Sequence, residues 1–229
     1  MKTLGLIGGM SWESTVPYYR LINQVVAERL GGLHSARLLL YSVDFAQIER
    51  LQQMGDWDAA GEVLADAARA LRAGGAELLV ICTNTMHKVA DAVEAASGLP
   101  LVHIADATAQ AITSLGLQRV GLLGTRFTME QRFYIERLER HGLEVLVPDD
   151  AQRDLVHRVI YDELCRGRIE AASRGAYRDI IASLVERGAQ GVILGCTEIG
   201  LLVQPGDASV PLFDTAALHA RAAALAALA

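Results

Sequence analysis

The run Gly191-Val192-Ile193-Leu194-Gly195-Cys196-Thr197-Glu198-Ile199-Gly200 decides how this chain is expected to fold. Val192, Ile193 and Leu194 show no polar alternation, the pattern of a strand buried on both faces in a parallel sheet covered by helices. Gly195 then permits a tight turn. A thiol, a hydroxyl and a carboxylate follow at the carboxyl end of the strand, where open α/β sheets hold their ligands. An isolated cysteine in such a place is most often a small core residue. Cys196 becomes a chemical candidate through the residues around it.

The 229 residues, 52% hydrophobic and 21% charged, supply a sizeable core in one large or two small domains. A net charge of −6 without a basic cluster argues against a nucleic-acid surface. Three cysteines, Cys82, Cys165 and Cys196, with no C-x-x-C pair, suggest neither a disulfide framework nor a structural zinc site. Met1-Lys2 leads straight into a strand without a signal-peptide core, and no apolar run approaches the ~20 residues of a membrane helix. The expectation is a cytoplasmic protein acting on small molecules, with no membrane or nucleic-acid partner.

Working outward from Cys196, the same plan occurs twice. In the first half the strands are Thr3 to Ile7, closed by Gly8-Gly9, then Leu38 to Val43, Glu77 to Ile81, and Leu101 to Ile104 after Pro100. In the second half they are Arg119 to Leu123, Glu144 to Val147, Val192 to Leu194, and Pro211 to Phe213. Helices are expected over Pro17–Leu30, Gly61–Ala73 and Tyr177–Arg187, each ended by glycine. Gly5 pairs with Gly121 at an offset of 116, Gly75 with Gly188 at 113 and Pro100 with Pro211 at 111, in one order with a slow drift, as unequal loops between two copies would produce. At the middle offset, Thr83 and not Cys82 stands opposite Cys196. A one-residue slip would reverse the faces, which leaves Cys82 a bystander.

These features predict an α/β protein of two pseudo-symmetric domains, residues 1–98 with 208–229 and residues 99–207. Each is expected to hold a four-stranded, mainly parallel sheet, with the active site in the cleft between them. Two polar strand ends facing each other suit a proton transfer on both faces of a planar intermediate, as in racemisation.

At Gly8-Gly9-Met10-Ser11-Trp12-Glu13-Ser14-Thr15, Asn84-Thr85-Met86-His87 and Gly195-Cys196-Thr197-Glu198 the chain resembles the cofactor-independent aspartate/glutamate racemase family, over essentially its whole length. The resemblance implies no cofactor, neither pyridoxal phosphate nor metal, a small amino-acid substrate, a homodimer, and two catalytic groups on opposite faces of Cα. Typical members carry cysteine immediately before the Asn-Thr pair, whereas this chain has Thr83. In this it is similar to the branch that prefers L-aspartate or L-glutamate and pairs threonine with cysteine. The resemblance therefore implies Cys196 and Thr83 as the catalytic pair. It also implies Met10 as a pocket residue, and Gln52 at a position that often holds arginine for the substrate's side-chain carboxylate.

Asn84, Thr85, Thr125 and Thr197, at strand ends, are candidate donors to an enediolate-like carboxylate; turn capping is the ordinary alternative. Glu198 is read either as orienting the substrate ammonium or loop amides, or as a helix-start carboxylate. Arg166 is a candidate replacement cation or a solvated surface arginine. His87, four residues beyond Thr83, either helps activate that threonine or is structural. His34, His103, His141, His157 and His219 lack metal-ligand spacing. Competing readings are a dinucleotide site at Gly5-x-x-Gly8-Gly9 with Asp44, a cysteine hydrolase, a non-catalytic amino-acid-binding protein, and a same-fold isomerase or decarboxylase acting on a dicarboxylate.

Overall fold

A computed structural model describes residues Met1–Ala229. The chain divides into one unit of Met1–Ile104 with His219–Ala229 and a second of Ala105–Leu218.

The first unit runs β1 (Leu4–Gly8), α1 (Trp12–Leu30), β2 (Leu38–Ser42), α2 (Phe45–Met54), α3 (Trp57–Ala73), β3 (Leu78–Ile81) and α4 (Ala90–Ser97). Its sheet is parallel, in the order β2-β1-β3. β1 and β3 are buried throughout, as their unbroken apolar runs require, and β2 forms the exposed edge. Ile7, Ile48, Leu64, Leu79, Ile81 and Met86 share one core, with Met10 packed into it. Asp44 and Asp56 cap α2 and α3 by accepting from Ala46 and Ala59 N–H groups, which moves the start of α3 ahead of the expected Gly61. α1 likewise begins at Trp12, ahead of Pro17.

The expected fourth strand at Leu101 to Ile104 is reduced to a single parallel bridge, Leu79 to Leu101. Side chains take the backbone groups that would extend it. The Val102 carbonyl accepts from His219 Nε2 at 2.6 Å, and the Ile104 N–H donates to His87 Nε2 at 3.2 Å, where α5 (Ile104–Ser114) begins.

The second unit continues with β4 (Arg119–Gly124), α6 (Arg126–Glu130), α7 (Arg132–Glu139), β5 (Glu144–Leu146), α8 (Asp150–Asp162), α9 (Ala171–Glu186), β6 (Val192–Gly195), α10 (Ile199–Leu202), β7 (Leu212–Asp214) and α11 (Thr215–Leu228). Its parallel sheet has the order β5-β4-β6-β7. Here the fourth strand forms. Gly195 cannot be larger, because a Cβ there would stand 2.8 Å from the Leu123 carbonyl oxygen.

α11 returns its last turns to the first unit, where the Lys2 N–H donates to the Ala227 carbonyl at 2.8 Å. The alanines at 220, 223, 224 and 227 are buried, each adding about 0.8 kcal/mol for its methyl group. His219 is fully buried and joins the Tyr18 hydroxyl, 2.9 Å from its Nδ1, to the Val102 carbonyl. A carbonyl only accepts, so Nε2 carries the proton and Nδ1 receives the tyrosine's. No helix is long and apolar enough to cross a membrane.

Burial lowers the His219 pKa to about 4. Unfolding therefore takes up a proton below pH 6.5, and the stability present above that value is lost as pH falls towards 4. The shift corresponds to about 3 kcal/mol. Urea unfolding is expected to show this loss between pH 6.5 and 4 in the natural chain and not in His219→Asn; an equal pH slope in both would contradict it.

Candidate active site

The pairing registers decide which residue leaves each sheet at its carboxyl edge. In the first unit Gly5, Leu6 and Ile7 lie opposite Leu79, Val80 and Ile81. In the second, Gly121, Leu122 and Leu123 lie opposite Val192, Ile193 and Leu194. With β1 laid on β4, Ile81 corresponds to Leu194, Cys82 to Gly195 and Thr83 to Cys196. The offset of 113 read from the sequence thus reappears in hydrogen-bonded geometry. Cys82 is fully buried, with Sγ no closer to a polar partner than the Val80 carbonyl at 4.0 Å, and burial pushes its pKa far above the usual thiol range. It is a buried core thiol.

On the first unit, Thr83 is partly exposed and held by its own backbone: its N–H donates to the Ile81 carbonyl at 2.8 Å. Its carbonyl lies 2.8 Å from His87 Nδ1, so the imidazole touches the Thr83 peptide and not, as one sequence reading had it, the hydroxyl. Asn84 and Thr85 are buried at the start of a 3₁₀ turn over Thr85–Val89. Gln52, buried on α2, donates to Met86 Sδ at 3.1 Å, which ties that helix to the turn. Met10 and Met86 share the same core. Gly8-Gly9 is a packed turn, not a phosphate cradle: the Gly9 N–H donates to Thr15 Oγ1 at 2.9 Å, and a Cβ at Gly9 would collide with the Val43 carbonyl. Asp44, the ribose ligand of the dinucleotide reading, is occupied in capping α2.

On the second unit, Cys196 is 8% exposed and Glu198 1%. The Cys196 thiol donates to Glu198 Oε2 at 2.9 Å, and the Thr197 hydroxyl donates to the same oxygen at 2.9 Å. Glu198 precedes α10, but its side chain does not cap that helix and instead turns to the thiol. Burial raises the Cys196 pKa well above the ordinary thiol value; the Glu198 carboxylate and Cys165 raise it further. Cys165 stands in the 3₁₀ turn Leu164–Arg166, which packs on α10, and burial followed by Glu198 lifts its pKa too. Tyr177 on α9 joins this surrounding, fully buried, its hydroxyl donating to the Val156 carbonyl at 3.0 Å. Sequence reading missed Cys165 and Tyr177, since only the packing of distant elements brings them near Cys196. Thr125, at the end of β4, caps α6 by accepting from the Thr128 N–H at 3.3 Å. Arg166 is exposed.

The two constellations differ in chemistry: a hydroxyl on a clamped peptide in one unit, and in the other a thiol hydrogen-bonded to a buried carboxylate. The family model for Asp/Glu/hydantoin racemase matches residues 7–223. The chain belongs to that family. It is 63% identical to a candidate Asp/Glu racemase from Yersinia pestis, over the full length of both chains, with a TM-score of 0.92. It is 38% identical to an aspartate racemase homologue from Pyrococcus horikoshii, again over both full chains, with a TM-score of 0.85. It is also 22% identical to the broad specificity amino-acid racemase RacX of Bacillus subtilis, covering 95% of each chain.

The Glu198 charge opposes ionisation of the thiol beside it. Glu198→Gln is therefore expected to speed iodoacetamide alkylation of Cys196 at pH 8 by roughly five- to tenfold, with Cys82 unlabelled in both proteins. Peptide mass mapping checks this; an unchanged or slower rate would contradict it.

Proposed function

We propose that this protein racemises L-aspartate and L-glutamate, without pyridoxal phosphate or a metal, with Cys196 and Thr83 serving opposite faces of Cα. The observation that carries the reading is the thiol-to-carboxylate hydrogen bond at a strand end whose register counterpart is Thr83. Similarity to Asp/Glu racemases and their homologues supports it.

The chemistry follows from the donors present. Cys196 gives its thiol proton to Glu198 Oε2. The thiolate so formed takes the Cα proton of the L-substrate and is a thiol again, and Glu198 releases the proton it received to solvent before the next turnover. A thiol whose pKa is raised gives a scarcer but more basic thiolate, suited to a carbon acid of high pKa. The substrate carboxylate, carrying the developing charge, is held by donors drawn from Asn84, Thr85, Thr125 and Thr197. Thr83 then delivers its hydroxyl proton to the opposite face, and solvent restores it. A hydroxyl is a far weaker acid than a thiol, whose reference pKa is about 8.5. Thr83 is therefore a weak proton donor and, un-ionised, a poor base, so it works only when activated or through water. Turnover is slow or unequal in maximal rate for the two enantiomers, with kcat/KM the same in both directions because the enantiomers are equal in free energy. Met10 and Gln52 shape the side-chain end of the pocket. A neutral amide at position 52 binds an acidic side chain less strongly than an arginine would, which widens substrate tolerance.

In deuterated water, without added cofactor, the protein is expected to exchange the Cα proton of L-glutamate or L-aspartate, followed by proton NMR. Cys196→Ala abolishes the exchange and Cys82→Ala leaves most of it; the opposite pattern would overturn the assignment of the pair. Binding across an amino-acid panel with no exchange would identify a binding protein instead.

A further inference from the structure

Four backbone and ring groups of the first unit meet at His87. The ring is buried in the Thr85–Val89 turn, with Nδ1 2.8 Å from the Thr83 carbonyl oxygen and Nε2 3.2 Å from the Ile104 nitrogen. A backbone N–H can only donate and a carbonyl oxygen can only accept. Both bonds coexist in one state alone, the neutral imidazole with its proton on Nδ1. The neighbouring His219 is fixed the other way, with its proton on Nε2, between Tyr18 and Val102. The rings stand close, His87 to His103 at 4.5 Å and His87 to His219 at 5.5 Å between centroids.

The second unit solves the same problem without a side chain. The Cys196 carbonyl, counterpart of Thr83's, accepts the Ile199 N–H at 3.0 Å. At the corresponding place on the first unit the Thr83 carbonyl faces the imidazole, four residues on.

We infer that His87 is a positioning residue: its Nδ1–H clamps the Thr83 carbonyl while Nε2 anchors the ring to the start of α5. With the Thr83 N–H already bonded to Ile81, the clamp fixes the residue at both ends of its backbone and so aims its hydroxyl. This inference rests on the proposed role of Thr83 as the proton donor on one face. It differs from general-base assistance, because the ring never touches the hydroxyl and stays neutral.

Two measurements test it. In ¹⁵N-labelled natural protein at pH 7, imidazole nitrogen signals should show Nδ1 protonated and Nε2 bare for His87, assigned by loss in His87→Asn. An Nε2–H ring or an imidazolium overturns the clamp whatever the protein catalyses. The second is a partition: with L-glutamate in deuterated water, His87→Ala should slow formation of the D-enantiomer by about ten- to a hundredfold while deuterium still enters recovered L-glutamate, because Cys196 is untouched. His87→Asn, which keeps a donor near the Nδ1 position, should recover most of the D-product rate, with KM within about twofold. An equal fall in both processes, or no rescue by asparagine, overturns the positioning role. Absence of all exchange in the natural protein overturns the racemase reading instead, and the nitrogen signals still decide the clamp.

Discussion

In a parallel ladder every residue is fixed against a partner, and a shift of one position would turn each side chain to the other face. The hydrogen bonds joining β1 to β3 and β4 to β6 therefore determine which side chain emerges at each carboxyl edge. They bury Cys82 and bring out Thr83 in one unit, and put Gly195 and then Cys196 at the same steps of the other. Gly195 sits where a Cβ would strike the Leu123 carbonyl, so the step that Cys82 fills in the first unit must be empty of side chain in the second. The two chemical groups are thus consequences of strand register before they are consequences of any local loop.

Electrostatics then separates the two ends. Beside Cys196 a buried carboxylate accepts two hydrogen bonds on one oxygen, and burial keeps the thiol protonated. That arrangement lowers the resting population of thiolate and raises its basicity, while leaving a proton acceptor within 2.9 Å. Beside Thr83 there is no such carboxylate among the bonded partners; the backbone is held by Ile81 and His87.

Much of this was legible in the chain. The unbroken apolar runs at Leu4–Gly8, Leu78–Ile81 and Val192–Gly195 do form buried parallel strands. The repeat offset gave the same Thr83–Cys196 correspondence as the ladders, because glycines and prolines mark fixed points of the backbone in both copies. Some features were hidden because they depend on residues far apart in sequence. His87, His103 and His219 carry no metal-like spacing, yet the His87 ring lies tilted against His103 and edge-on to His219, and His87 and His219 take the backbone groups that would otherwise have made a fourth strand of Leu101 to Ile104. Cys165 and Tyr177 are brought towards Cys196 by a turn and a helix that no local pattern relates to it. Asp44 and Thr125 carry the ordinary capping duty that residues of their type perform at helix starts.

The most direct test of two groups on opposite faces is the isotope carried by the first product formed. L-glutamate is incubated in deuterated water to a few per cent conversion, the enantiomers are separated on a chiral column, and each is weighed by mass spectrometry. The account predicts D-glutamate bearing deuterium at Cα, because its new hydrogen comes from a solvent-exchanged hydroxyl and not from the group that removed the old one. D-glutamate that retains the original protium would mean a single group serving both faces, and would contradict the pairing of Cys196 with Thr83.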